Sequence, residues 1–149
     1  MNCKKVLKQF IPFLDISDKI FKLHNKSKYW SSRNTFFALF YTYKIYKKYN
    51  CHISSKCIIE QKISFPHPIG IVIGDGVKIG KNCIIFQNVT IGRKYMDINE
   101  YPIIGDNVTI YSNSTIIGGV KIGNNAIIGC NSVVLRDVSD NEVVSGIVK

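Results

Sequence analysis

The sequence predicts a mainly β fold: a parallel solenoid of short strands and tight corners, about five coils long, preceded by a short α-helical segment. Three observations lead there. Aliphatic or aromatic residues recur at every sixth position through residues 53–134. The position after them is repeatedly glycine. The 149-residue chain also splits near Asn50 into two halves of unlike composition. A six-residue period fits neither a 3.6-residue helix nor a plain alternating strand. It fits a prism in which each hexad makes one side and three hexads make a coil.

The first half, residues 1–50, holds eleven Lys/Arg against two Asp, and twelve of the chain's seventeen aromatic residues. It has no glycine, and Pro12 is its only proline. Asn34 is placed to cap a helix ending near Tyr49, with Lys44, Lys47 and Lys48 suited to its negative C-terminal end. Phe36, Phe37, Phe40, Tyr43 and Ile45 fall near helical spacing, and such residues are usually core. A second, shorter helix is expected over Lys4 to Leu14, disturbed at Pro12. A basic, aromatic-rich helix also suits contact with an anionic membrane surface or an acidic polymer. No recognisable nucleic-acid module accompanies it.

The second half carries the repeat. Its inward series is Ile53, Ile59 and Phe65, then Ile73, Ile79, Ile85 and Ile91, then Ile104, Ile110, Ile116, Ile122, Ile128 and Val134. Four places after each comes a second small or apolar residue, among them Cys57, Ile63, Val77, Cys83, Val89, Val108, Val120, Ala126 and Val138. Gly74, Gly80, Gly92, Gly105, Gly123 and Gly129, with Asn107 and Asn125, are expected to supply positive φ at the corners. The period breaks twice. Residues 65–73 hold two extra positions around Pro66-His67-Pro68, and residues 92–102 should leave the coil as a loop. Breaks in a solenoid are where function gathers, because the regular coils only build the scaffold.

His67-Pro68-Ile69-Gly70-Ile71-Val72-Ile73-Gly74, Gln87-Asn88-Val89-Thr90-Ile91-Gly92, Pro102-Ile103-Ile104-Gly105-Asp106-Asn107-Val108 and the tail from Ile128 to Val138 together resemble the hexapeptide-repeat acyltransferases, and by motif their serine acetyltransferase-like branch. The resemblance implies a left-handed parallel β-helix over residues 51–149, behind the helical segment 1–50. It implies a homotrimer with acetyl-CoA bound between neighbouring prisms, and His67 as general base. An imidazole titrates near neutrality, so it can take a proton from an acceptor hydroxyl and release it again. His52, fifteen positions earlier, stands where relatives place an Asp that orients the base. It either holds the His67 tautomer or simply ends the linker, and Glu60, Glu100 or Asp97 are other candidates for that task. Carried over residue by residue, Gly92, Ser112, Cys130, Leu135 and Arg136 would line the cofactor groove, Arg136 reaching a CoA phosphate or serving as a solvated corner cation. No metal is expected: of His24, His52 and His67, the first lies outside the repeat.

The acceptor is the open question. Serine acetyltransferases have an acidic residue before the base, an Asp fifteen positions earlier and an Arg-His pair before the loop proline, where this chain has Pro66, His52 and Glu100-Tyr101. Those departures favour a sugar or polysaccharide hydroxyl as acceptor, as in the O-acetyltransferases of capsule and exopolysaccharide. Serine O-acetylation for cysteine biosynthesis is the alternative, and a non-catalytic scaffold the second. No membrane span or leader is visible, so a cytoplasmic protein is expected, its basic segment suited to association with the inner membrane face. Five cysteines without a Cys-x-x-Cys pair speak against disulfides or a cysteine zinc site.

Overall fold

A computed structural model describes residues 3–61 and 63–149, with side chains from Ile16 onward. Two helices precede fourteen short strands: α1 (Cys3–Ser31) and α2 (Thr35–Tyr49), then β1 (His52–Ile53), β2 (Ile58–Ile59), β3 (Val72–Ile73), β4 (Lys78–Ile79), β5 (Ile84–Ile85), β6 (Thr90–Gly92), β7 (Ile103–Ile104), β8 (Thr109–Ile110), β9 (Thr115–Ile117), β10 (Lys121–Ile122), β11 (Ile127–Ile128), β12 (Val133–Val134), β13 (Val143–Val144) and β14 (Ile147–Val148). The strands stack into three all-parallel sheets, the faces of a prism. The first face is β1-β3-β6-β9-β12-β14, the second β2-β4-β7-β10 and the third β5-β8-β11-β13. Ser64 extends the third face by a parallel bridge to Ile84.

The inward aliphatics do what the period demands. Each two-residue strand places its second side chain inside, and Ile53, Ile59, Phe65, Ile73, Ile79, Ile85, Ile91 and their successors form one continuous buried core. A regular coil is three hexads of chain, as where Thr90 pairs with Val72 and Val133 with Thr115. The first break lengthens the step that sets His52 on Val72, and the loop lengthens the step that sets Thr90 on Thr115 further still. Pairing survives both because the extra residues leave at corners. The last steps, Ile127 on Val143 and Val133 on Ile147, are shorter than a regular coil, so the solenoid tapers.

Asparagine, not the repeated glycine, supplies the left-handed corners. Asn82, Asn107, Asn125 and Asn141 all have φ between 56° and 62°, as do Asn88, Asn113 and Asn131. Asparagine tolerates this region because its short side chain bonds locally. Here each amide also donates to the amide one coil on, Asn82 to Asn107 (3.1 Å), Asn107 to Asn125 (3.2 Å) and Asn125 to Asn141 (3.1 Å). The recurrent glycines answer a different constraint. A Cβ on Gly80 would strike the Gly105 backbone, and one on Gly123 the backbone of Ser139 and Asp140. They let successive coils lie close, whereas Gly92 has nothing within 4 Å of such a Cβ.

α2 follows its capping chemistry. The Asn34 side chain accepts from the Phe36 (3.0 Å) and Phe37 (3.4 Å) N–H groups, and Asn50 ends the helix in the left-handed region at φ 52°. α1, by contrast, does not stop near Leu14 but continues through Pro12 to Ser31. Its buried face is Ser17, Ile20, His24 and Ser27, a helical spacing disguised by three polar residues. Their partners explain their burial: Ser17 Oγ accepts from the Phe65 N–H (2.9 Å), and Ser27 Oγ donates to the Ala38 carbonyl (2.9 Å). Ile20 and Ile45 join the coil core, so the helices cover the open first coil. Of the α2 residues expected as core, Phe36, Phe37, Phe40 and Tyr43 are exposed and Ile45 is buried, while Tyr49 at the helix end packs against the core.

Candidate active site

The first period break makes the corner between the third and first faces. Phe65 is anchored inside, Pro66-His67-Pro68 turns outward, and the chain re-enters at β3. The Ile69 N–H donates to the His67 carbonyl (2.8 Å), tightening the turn. Gly70 closes it at φ +67°, with Asn88 standing where a Cβ would go. That glycine is doubly required, by dihedral and by space. Two prolines fix φ on either side of His67, so its exposed ring projects from a stiff loop.

A short aromatic ladder flanks the histidine. The His67 ring lies 6.3 Å from that of Phe86, which stacks on Tyr111 at 5.1 Å with an interplanar angle of 18°. Beside this ladder runs a second column along the same edge. The Asn113 N–H donates to the Gln87 carbonyl and the Asn131 N–H to the Ser112 carbonyl, which stacks Gln87, Ser112 and Cys130 on successive coils. Ser112 is half-buried and Cys130 exposed, and both are small, so this edge carries little side-chain bulk on the coils beyond His67. The Gln87 Oε1 atom is buried without a hydrogen-bond partner. An orphan acceptor on the residue after Phe86 is a feature the sequence motif contained but did not single out.

The remaining candidates are spread over three corners. His52 starts β1 on the first face with its side chain outward, and its N–H bonds the Ile71 carbonyl (2.8 Å) at the end of the His67 turn. Glu60 is held by Lys81 (3.6 Å) near the end of β2. Gly92, Leu135 and Arg136 lie at the corner between the first and second faces, with the 92–102 loop and its Asp97 and Glu100. There Lys94, Tyr95, Ile98, Gly118, Gly119 and Leu135 help line a cavity of about 260 Å³. Arg136 pairs with Glu142 (2.9 Å) and also donates to the Asp137 carbonyl (2.6 Å). Within one chain, therefore, His67, Gln87, Ser112 and Cys130 share an edge, while Gly92, Leu135 and Arg136 stand at another.

Tyr101 and the loop shape a further cavity of about 570 Å³, lined by Lys56, Asp75, Lys78, Arg93 and Asn99. The Tyr101 ring covers Gly74 and Gly76, where a side chain on Gly76 would collide with it. Ser54 donates to one Asp75 oxygen (2.7 Å) and Lys56 to the other (3.2 Å). The Ser54 hydrogen bond, with Lys56, holds the Asp75 carboxyl below its ordinary range. The cavity is thus walled by three cations and one committed anion. The inward thiols of Cys57 and Cys83 are pushed up to about 12 and about 11 by burial, which keeps them unreactive core.

Comparison with known proteins bears on this geometry. A family model described as bacterial transferase hexapeptide (six repeats) matches residues 101–136, and one for the hexapeptide repeat of succinyl-transferase matches 69–94. A serine acetyltransferase of Staphylococcus aureus is 35% identical over 127 residues, 85% of this chain and 57% of that protein. One of Staphylococcus epidermidis is 42% identical over 90 residues, 60% of this chain and 42% of its own. Among solved structures, soybean serine acetyltransferase superposes with a TM-score of 0.80 at 32% identity, and a serine acetyltransferase in complex with CoA with 0.79 at 28%. Each superposition covers 85% of this chain and 53% of the other. The chain thus spans about half the length of the relatives it matches.

Two consequences follow. A superposition of that quality distinguishes hand, so the solenoid is a left-handed β-helix, against the usual crossover preference. The expectation of a sugar acceptor is overturned, because the relatives are serine acetyltransferases. It rested on Pro66, His52 and Glu100-Tyr101, and within one chain Tyr101 sits at another corner from His67 and packs on Gly74 and Gly76. The same corner presents Lys56, Lys78 and Arg93, so lack of the Arg-His pair does not by itself exclude an acceptor that carries a carboxylate. Repeat motif, coil geometry and relatives agree: the chain is a hexapeptide-repeat, serine acetyltransferase-like protein.

Proposed function

We propose that the protein transfers an acetyl group from acetyl-CoA to the hydroxyl of L-serine, with His67 as the general base. The observation that carries this reading is the 35% identity to a serine acetyltransferase across 85% of the chain, including the His67 corner. Acetyl-CoA supplies the activated acyl group. The small side chains of the stacked Ser112 and Cys130 would give its pantetheine arm room along this edge, and Gly92, with open space over its Cα, allows close approach of a ligand. Leu135 and the loop cavity would take a further part of it. Arg136 would reach a phosphate only by leaving Glu142.

His67 removes the hydroxyl proton as the oxygen attacks the thioester carbonyl, then returns that proton to the leaving thiolate. His52 positions it from the start of the neighbouring strand. Lys56, Lys78 and Arg93 give the Tyr101 cavity a lining suited to a carboxylate, which an amino acid has and a neutral sugar lacks. In a homotrimer, this corner of one chain completes the His67 edge of the next.

The test is CoA release and O-acetylserine formation from acetyl-CoA and L-serine. Serine turnover is expected, with His67→Ala reducing kcat by roughly 10² to 10⁴-fold while the far-UV spectrum stays unchanged. No turnover with serine, or full activity in His67→Ala, would refute the assignment. A trimeric mass by light scattering is expected, and a monomer would remove the shared site.

A further inference from the structure

The outer face of α2 has no role in the site above. Phe36 (72% exposed), Leu39 (63%), Phe40 (41%), Tyr43 (54%) and Tyr46 (53%) form a stripe at helical spacing. It lies opposite Ala38 and Ile45, which seat the helix on the rest of the molecule. Lysines are threaded through it: Lys44 lies 4.5 Å over the Phe40 ring and Lys47 6.0 Å over Tyr43. α2 contains no Asp or Glu.

The chemistry of this face selects among occupants. A second copy docked symmetrically would bring Lys44, Lys47 and Lys48 against themselves with no carboxylate on the helix to answer them. A soluble polyanion would engage the lysines but leave Phe36 and Leu39 in water. An anionic bilayer surface uses both, with rings at headgroup depth and ammonium groups among the phosphates. No helix among the described residues is long and apolar enough to cross a membrane, so the contact would lie in the interfacial plane. We propose that the outer face of α2 is a peripheral binding surface for anionic lipid.

Full-length protein is cosedimented with phosphatidylcholine vesicles, with and without phosphatidylglycerol. Binding is expected only to the anionic vesicles and should fall with added salt. Each lysine at the surface contributes about fivefold in partitioning, so Lys44→Gln/Lys47→Gln/Lys48→Gln should weaken it on the order of a hundredfold. Phe36→Ser/Phe40→Ser should weaken it as well, and because these side chains are exposed the circular dichroism should not change. Three results would overturn the proposal: no preference for anionic vesicles, lipid binding indifferent to the phenylalanines, or a lipid-free increase in mass with concentration that Phe36→Ser abolishes. Tight binding to inorganic polyphosphate without vesicle binding would assign the face to a soluble polyanion instead.

Discussion

Mild acid should loosen the helical cover of the first coil, and His24 is the reason. Its side chain is fully buried. Nε2 lies 3.9 Å from the Cys57 sulfur, and Nδ1 has no hydrogen-bond partner. Burial, reinforced by the nearby Lys28 charge, pulls its pKa from 6.5 down to about 4. A folded-state pKa below the unfolded value means that the unfolded chain binds the proton first. Stability from this residue is therefore complete above pH 6.5 and is lost as pH falls toward 4. At about 1.4 kcal/mol per pH unit, the loss is about 2 kcal/mol at pH 5 and about 3 kcal/mol once pH 4 is passed. Urea unfolding at fixed protein concentration, at pH 7 and pH 5, measures it. In His24→Leu the drop between those two values should shrink by about 2 kcal/mol, whatever the variant's stability at pH 7. An equal drop in both proteins would refute the assignment of acid sensitivity to His24.

Three further outcomes are expected from the scaffold. Asn107→Ala should cost about 1–3 kcal/mol, because alanine is strained at φ 58° and both ladder hydrogen bonds go, whereas Asn107→Gly should cost less. Chemical denaturation separates the two, and equal costs would show the backbone term to be small. Gly123→Ala should be severely destabilising while Gly92→Ala leaves the melting temperature unchanged, since only the first Cβ meets the next coil. Ile91→Ala, at the centre of the stack, should cost about 2–5 kcal/mol by the same measurement.

The β-helix was legible because one rule governs it: a side chain at every sixth position must point inward, and those positions are buried. Corners were legible as positions but not in their mechanism. Glycine after the aliphatic looks like a turn residue, yet the stacked coils require it for clearance, and asparagine takes the positive φ. The length of α1 was hidden because Ser17, His24 and Ser27 read as surface residues until their buried partners are known. For α2 the error ran the other way, since aromatic residues at helical spacing look like core whichever way the face turns. Of the candidate site, His67 stood out through the broken period. Gln87 did not, because an orphaned buried oxygen is a property of coordinates rather than of sequence.

Regular and lengthened coil steps share one strand register. Length at a corner is therefore nearly free of mechanical consequence for the stack. Loop closure costs grow only slowly with length, so the 92–102 segment can lengthen, shorten or change composition while the His67 corner stays fixed. Such a chain separates two kinds of change: edits to the inward hexad positions, the corner asparagines and the clearance glycines threaten folding, whereas length within the 92–102 loop need not. A chain built this way can vary the loop that walls the Tyr101 cavity without rebuilding its core.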